Sequence, residues 1–417
     1  MRLYSFYLMA GIYIHVPFCK SKCGYCGFYS LPSLKLKDKF LETLKEEIVQ
    51  RKDYLKRGRL TRCASSNRDL RVKPAMTSTH NDGYDDSIKT VYFGGGTPSL
   101  LSVTEIEDLL LLINKHYPVA SNAEITLEAN PDTLSLAYLK DLHDIGINRL
   151  SIGIQSFFDD DLRYLSRRHD SRHARQCIEW AKQAGFSNIS IDLIYGLPTS
   201  NAEQWNRNLD IFIDYGLPHL SAYALTLEPN SILSKQIELG KALPVSDDDA
   251  LRDYDILCRR AAENGYLHYE ISNFCKMGMH SKHNASYWFG TPYAGFGPSA
   301  HSFDGASRQW NVATVGSSSV EKEELTPEQL YDEYVMLRLR THWGIDLKYM
   351  KREMGERFSS YCEQHAQPLI AQGRLSQTRE FLYLTDEQML FADAVAETLF
   401  WESAASEIEM RSNGTVV

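Results

Sequence analysis

The chain has 417 residues, of which 43% are hydrophobic and 24% charged, with a formal net charge of -9. That balance is typical of water-soluble globular proteins, and the length calls for one large α/β core plus an appended unit. The acidic excess argues against a general nucleic-acid binder, and eight cysteines at irregular spacing exclude a secreted disulfide framework and point to a reducing, cytoplasmic setting.

Residues 1–9 run apolar but lead directly into a short strand, Gly11–Val16. They are too short for a membrane span and leave no spacer for a cleaved signal, so the chain reads as having no membrane insertion, with Met9 a candidate start. Cys19-Lys20-Ser21-Lys22-Cys23-Gly24-Tyr25-Cys26 follows, with spacing C-x3-C-x2-C. Apolar residues at Phe40, Leu41, Leu44 and Ile48 then predict an amphipathic helix within 36–52. The stretch from about Tyr54 to Ser87 is polar and aperiodic and reads as an insertion.

Beyond it, strands are expected at Thr90–Phe93, Glu124–Glu128, Arg149–Gln155, Asn188–Tyr195 and His219–Thr226. Helices are expected at Thr104–Tyr117, Leu134–Leu142, Ser171–Ala184 and Ala202–Tyr215. Six strand–helix units predict a parallel sheet with right-handed crossovers, curled into a partial (β/α)6 barrel with its reactive residues at the C-terminal ends of the strands. From Gly265 to Ser302 the pattern is irregular and rich in glycine and aromatics. Capping boxes at Thr326-Pro327-Glu328-Gln329 and Thr385-Asp386-Glu387-Gln388 open later helices. With a helical region at Leu347–Ala371 and a strand at Phe381–Leu384, they form a small, mainly α, winged-helix-like domain. The expected divisions are 9–235, 236–320 and 321–403, with a frayed tail after Ser403.

Three thiolates in so tight a loop can hold three corners of a [4Fe–4S] cube. Such clusters usually have a fourth cysteine, so this loop leaves one iron open to an external ligand. A zinc knuckle needs a fourth Cys or His at ligand spacing, which is not seen, and three buried thiols without metal is the remaining reading. Phe93-Gly94-Gly95-Gly96-Thr97-Pro98 lies between a strand and a helix, where glycine permits close backbone approach. Glu128, Gln155, Arg167 and Asp192 are polar residues on or just past successive strands. They read either as an internal hydrogen-bond network or as a ligand grip.

The cysteine loop resembles that of the radical S-adenosylmethionine (SAM) superfamily, in which the open iron chelates SAM and one electron cleaves it to methionine and a 5′-deoxyadenosyl radical. Tyr13-Ile14-His15-Val16-Pro17-Phe18-Cys19, the triple glycine, Ile191-Asp192-Leu193-Ile194-Tyr195-Gly196-Leu197-Pro198 and the C-terminal domain resemble the oxygen-independent coproporphyrinogen III oxidase family over nearly the whole chain. That resemblance implies Cys19, Cys23 and Cys26 as cluster ligands, and Tyr13, Glu128, Gln155, Arg167 and Asp192 as SAM contacts. It also implies that Gly94, Gly95, Gly96 and Thr97 meet the SAM amino group and that Tyr25 packs near its adenine.

Within that family, coproporphyrinogen dehydrogenases carry a further cysteine two residues after the third. Phe28 stands there in this chain, and only 18 residues precede Cys19. Both features, and His283-Asn284-Ala285-Ser286-Tyr287-Trp288 as an HNxxYW element, resemble the HemW-type haem chaperone branch. His283 is thereby implied as a haem-binding residue, with Tyr287 and Trp288 covering the macrocycle. His301 is a second candidate, and Ser281-Lys282 departs from the Cys-Arg expected before the motif. The implied function is transfer of haem to haem-requiring, respiratory acceptors, with an electron donor as further partner and peripheral membrane contact and oligomerisation left open. The alternatives are oxidative decarboxylation of coproporphyrinogen III and a non-catalytic metal-binding structural protein.

Overall fold

The computed structural model describes residues 10–27, 29–55, 87–229 and 231–401. The apolar N-terminus with Met9, the position of Phe28, nearly all of the expected insertion and the tail after Ser403 lie outside the described residues.

Six strands, β1 (Ala10–Val16), β2 (Ile88–Gly95), β3 (Val119–Ala129), β4 (Arg149–Gln155), β5 (Asn188–Tyr195) and β6 (His219–Ala224), pair in chain order, every pair parallel. Each carries apolar side chains at alternate positions, such as Ile12, Ile14, Val91, Phe93, Leu127, Leu150, Ile152, Ile189, Ile191 and Leu220, all buried. Because successive strand residues face opposite sides, the intervening residues share the other face, and these are polar. The register aligns Tyr13, Tyr92, Thr126, Arg149 and Asn188 in one row and Glu128, Ser151, Ser190 and His219 in another. One face of the sheet is thus apolar and the other is lined by hydroxyls, carboxylates and imidazoles, a surface suited to a polar ligand.

Helices α1 (Lys37–Gln50), α2 (Val103–His116), α3 (Leu136–Asp144), α4 (Asp159–Tyr164), α5 (Ser171–Gln183) and α6 (Ala202–Asp214) fill the crossovers. Each of the longer ones buries an apolar stripe, for example Ile106, Leu109, Leu110 and Ile113 on α2. Side chains cap the N-termini of α2, α5 and α6: Ser102 with Glu105 as a capping box, Asp170 and Asn201. Each such cap contributes about 1 kcal/mol.

The sheet is larger than the sequence implies. After α7 (Ile232–Glu238) and α8 (Asp247–Glu263) come β7 (Leu267–Glu270) and β8 (Asn273–Cys275), with β8 pairing antiparallel to β6. Then α9 (Lys282–Trp288) leads to β9 (Tyr293–Phe296), which pairs parallel to the other edge strand, β1. β10 (His301–Phe303), β11 (Ser307–Asn311) and β12 (Val320–Glu324) complete a twelve-stranded sheet. The segment 265–302 is therefore ordered structure rather than irregular chain. Its strands of three or four residues are too short to display a period.

Contacts divide the chain into two units. One comprises the described residues through Tyr287 with Thr291–Glu323; the other comprises Trp288–Gly290 and the described residues from Glu324 to Trp401. In the second, α10 (Pro327–Leu339) starts at the Thr326–Gln329 capping box. The single helical region expected over 347–371 is broken into α11 (Leu347–Glu353) and α12 (Glu356–Ala371) by Gly355 at φ 102. Strands β13 (Ile345–Asp346), β14 (Ser376–Gln377) and β15 (Phe381–Tyr383) form a small antiparallel sheet. Short helices α13 (Asp386–Met389) and α14 (Ala392–Glu397) follow, so the unit is α-rich. Among the described residues, no helix is long and apolar enough to cross a membrane.

Candidate functional site

The cysteine loop leaves β1 and is cinched at its base, where the Cys19 amide donates to the Leu31 carbonyl (3.1 Å) and the Leu31 amide to Pro17 (2.7 Å). Cys19, Cys23 and Cys26 are half-buried and form no disulfide. The Thr97 hydroxyl donates to Cys19 Sγ at 3.6 Å, and Arg167 Nη1 to Cys23 Sγ at 3.3 Å. Donors aimed at sulfur are what a thiolate cluster ligand calls for. Among the described residues, no group of three or more His, Cys, Asp or Glu side chains converges as it would around a single ion. A cube, three of whose irons would each take one thiolate, needs no such convergence on a single point.

The triple glycine seats this loop. A Cβ on Gly96 would stand 2.6 Å from the Phe18 carbonyl oxygen, a backbone atom that cannot step aside. Gly95 is at φ 107 with the His15 ring 2.8 Å from where its Cβ would be. The glycines therefore let the β2 turn lie directly against the backbone that leads into the cysteines.

Arg167 comes to the site from beyond β4. Helix α4 ends with Ser166 at φ 56, and the Arg167 amide bonds back to the Leu162 carbonyl at 2.8 Å, which turns the side chain toward the cysteine loop. Its Nη2 donates to Asn130 Oδ1 (2.5 Å) and to the Gly153 carbonyl (2.8 Å), while its buried Nε has no partner. A Cβ on Gly153 would stand 2.9 Å from Gln155 Nε2 and 3.2–3.3 Å from Asn130 and Arg167, so any side chain here would press on all three polar groups. Gln155 itself is at φ 68. Left-handed non-glycine residues cost of order 1–3 kcal/mol and gather where function requires them. Among the described residues they are Gln155, Ser166 and Ser299, two of them flanking this site. Lys20, Cys23, Thr97, Asn130, Asp132 and Arg167 line a small polar depression here, with Lys20 paired to Asp132 at 3.2 Å.

Deeper along the polar face, Glu128 accepts from the Tyr92 hydroxyl (2.7 Å) and the Gly95 amide (3.2 Å), and Asp192 accepts from Ser151 (3.3 Å). Burial, and each other's charge for Glu128, lift these carboxyls, Glu128 to about 7 and Asp192 to about 6. Tyr13 donates toward His15 Nδ1 at 3.1 Å and stacks on Tyr92. Two placements differ from the expected strand ends: Asp192 lies in the middle of β5, and Arg167 follows a helix. Tyr25 packs against the apolar cluster of Leu165, Ile194, Leu197, Leu225 and Leu233, and its burial raises the phenol well above its ordinary range.

His283, the residue implied for haem, lies at the start of α9. It is 1% exposed, with Nδ1 at 2.8 Å from Thr90 Oγ1 and Nε2 at 2.8 Å from the Tyr287 hydroxyl. Burial, then the charge of Arg149, pushes its imidazole down to about 3, so it is neutral. Both ring nitrogens are engaged in hydrogen bonds. Tyr287 packs edge-on against His283 and Tyr293. Ser281, where cysteine was expected, caps α9 by accepting from the Asn284 amide at 3.3 Å. His301, by contrast, is exposed on β10 and stacks on Trp310 at 5.9 Å.

Tyr92, Asn130 and Gly153 are site residues that sequence reasoning does not single out. Their signal lies in the period-two alternation of β2 and β4 and in the Asn-Pro turn ending β3.

The parallel six-stranded core, the three-thiol loop after its first strand and the glycine turn after its second define a radical SAM fold. A profile of the radical SAM superfamily matches residues 81–211, and one of the HemN C-terminal domain matches residues 325–391. The solved coproporphyrinogen III oxidase HemN of Escherichia coli, a radical SAM enzyme, superposes with a TM-score of 0.75. It covers 95% of this chain and 91% of its own, at 21% identity. The haem chaperone HemW of Bacillus subtilis is 31% identical over 401 residues, covering 93% of this chain and 98% of that protein. HemW of Escherichia coli is 31% identical over 410 residues, covering 94% and 98%. The chain belongs to the HemW family.

Proposed function

We propose that this protein is a haem chaperone of radical SAM fold that binds haem and hands it to haem-requiring acceptors, respiratory proteins among them. The observation that carries the reading is the near end-to-end match to HemW chaperones, spanning 98% of the Bacillus subtilis relative. Cys19, Cys23 and Cys26 are the residues to hold a [4Fe–4S] cluster, and their donor set fits it: three thiols in one loop, two of them receiving hydrogen bonds. The orphaned Nε of Arg167 beside Cys23 fits a ligand carboxylate, and the carboxylates of Glu128 and Asp192 fit ribose hydroxyls or an ammonium. Bound there, cluster and SAM together supply one-electron reductive cleavage of SAM, for which an electron donor would be a further partner. The chain's own residues orient SAM: Arg167 by its charge, Glu128 and Asp192 by accepting hydrogen bonds, and Gly94–Thr97 by leaving room for it.

For haem, His301 is the exposed one of the two candidate imidazoles, its pKa lowered by partial burial and by the charge of Arg308. The test is an anaerobic optical titration of the cluster-reconstituted protein with haem, run beside His301→Ala and His283→Ala. Saturable, near-stoichiometric binding weakened by the substitution at 301 supports the reading and its site. Absence of haem binding to the intact protein overturns it and makes coproporphyrinogen III the next ligand to try.

A further inference from the structure

We propose that His283 is a positioning residue of the SAM pocket, setting the carboxylate of Glu128 through the ring of Tyr92. The inference rests on the reading of Glu128 as a SAM contact.

His283 is held on every side. Its two nitrogens bond Thr90 on β2 and Tyr287 one helical turn on, and its amide and that of Lys282 donate to the Glu124 carboxylate of β3 at 3.1 and 3.2 Å. A charge placed at a helix N-terminus steadies the first turn, so the start of α9 and the imidazole on it have little freedom. The fixed ring lies flat against Tyr92, with centroids 4.9 Å apart and planes at 24°, while Tyr13 stacks farther off at 6.3 Å. Tyr92 in turn donates to Glu128 Oε1 at 2.7 Å.

The hydroxyl sits at the far end of the tyrosine ring, so a small tilt of the ring displaces it enough to lengthen that bond. The other stack on Tyr92 is the looser one with Tyr13, centroids 6.2 Å apart, and Gly94, whose Cβ would lie 2.9 Å from both rings, has no side chain to press on them. The imidazole thus decides where the Tyr92 hydroxyl points, and the hydroxyl decides which lone pairs of Glu128 remain for a ligand. This accounts for a histidine whose nitrogens are both engaged and which presents no surface to a macrocycle.

SAM affinity of the cluster-reconstituted full chain, measured by anaerobic equilibrium dialysis, tests this without turnover. The variants are His283→Ala, Tyr92→Phe, the pair together and His283→Gln, each with haem titrated in parallel and near-UV circular dichroism as the control for folding. We expect His283→Ala and Tyr92→Phe each to weaken SAM about threefold to tenfold, the range of one lost hydrogen bond. The double variant should be no worse than either single, because both act on one contact. His283→Gln, whose planar amide can lie on Tyr92 and bond both hydroxyls, should restore most of the affinity, and haem binding should be unchanged throughout.

SAM affinity within about twofold of wild type in His283→Ala overturns the proposal, as do additive effects of the two substitutions. Loss of haem binding with SAM retained also overturns it and returns His283 to the haem ligands. If His283→Ala does not fold, His283→Asn, which keeps one of the two hydrogen bonds, takes its place in the cycle. Failure of the wild-type protein to bind SAM overturns the underlying reading of Glu128 along with the proposal. Normal SAM binding by wild type that His283 does not influence overturns the proposal alone.

Discussion

Replacing Arg167 with lysine tests the SAM reading at its most constrained atom. The guanidinium serves Asn130 Oδ1, the Gly153 carbonyl and Cys23 Sγ, and keeps Nε for a ligand. Lysine keeps the charge but has one nitrogen where arginine has three, so it cannot reach acceptors on two strands and the cysteine loop while also facing a carboxylate. A charge-assisted hydrogen bond contributes about 1.5–3 kcal/mol, so its loss should weaken SAM binding roughly tenfold to a hundredfold. The acceptors stranded at Asn130 and Gly153 should lower folding stability by about 1–3 kcal/mol. The assay is anaerobic equilibrium dialysis of SAM against reconstituted protein, with iron and sulfide content and denaturant midpoints measured in parallel. Iron content should persist, because the thiolates hold the cluster. SAM affinity within about twofold of wild type, in protein with a full cluster, would refute the assignment of Arg167.

Three further outcomes follow from the same geometry. With Glu128 near 7 and Asp192 near 6, both are protonated at pH 5.5 and ionised at pH 8, so SAM affinity should rise across that range; a flat profile would sink their role as acceptors. Folding stability should move in the same direction for a different reason. His15, His169, His219, His280, His283 and His301 all have lowered values in the fold. Their contribution is complete above about pH 6.5 and is lost as pH falls toward their folded values, at up to ~1.4 kcal/mol per pH unit for each. The raised carboxyls of Glu128, Asp192, Asp253 and Asp332 gain stability as pH falls, but they are four against six. Urea midpoints should therefore drop from pH 7 to pH 5, and a rise would contradict the burial of these imidazoles. Finally, Gly96→Ala forces its new methyl against the Phe18 carbonyl, 2.6 Å away, and should displace the cysteine loop. Iron retained per chain should fall well below wild type while far-ultraviolet circular dichroism stays unchanged; full iron content would show that the loop can yield.

Much of the core was legible because its determinants are local. The three cysteines lie within eight consecutive residues. The period-two alternation of strands such as Arg149–Gln155 and the 3.6 period of helices such as Ser171–Gln183 each occupy a single segment. Their strict succession implies a parallel sheet wherever the segments end up. Triple glycine after a strand likewise announces a backbone that something must approach. The segment from 265 to 302 is where this reasoning stops, since strands as short as Asn273–Cys275 exist only because β6 stands ready to pair with them.

From sequence alone, then, come the radical SAM core, its three-cysteine loop and the set of polar residues that the strands carry. The tertiary structure alone decides which of those residues meet and which are hidden. Arg167 reaches Cys23 across 144 residues because Ser166 adopts a left-handed turn. Glu124 fixes the first turn of α9 from 159 residues away, and that contact takes His283 into the interior beside Tyr92. A motif states that a histidine is present, but its exposure depends on packing between distant segments, and no local pattern encodes that.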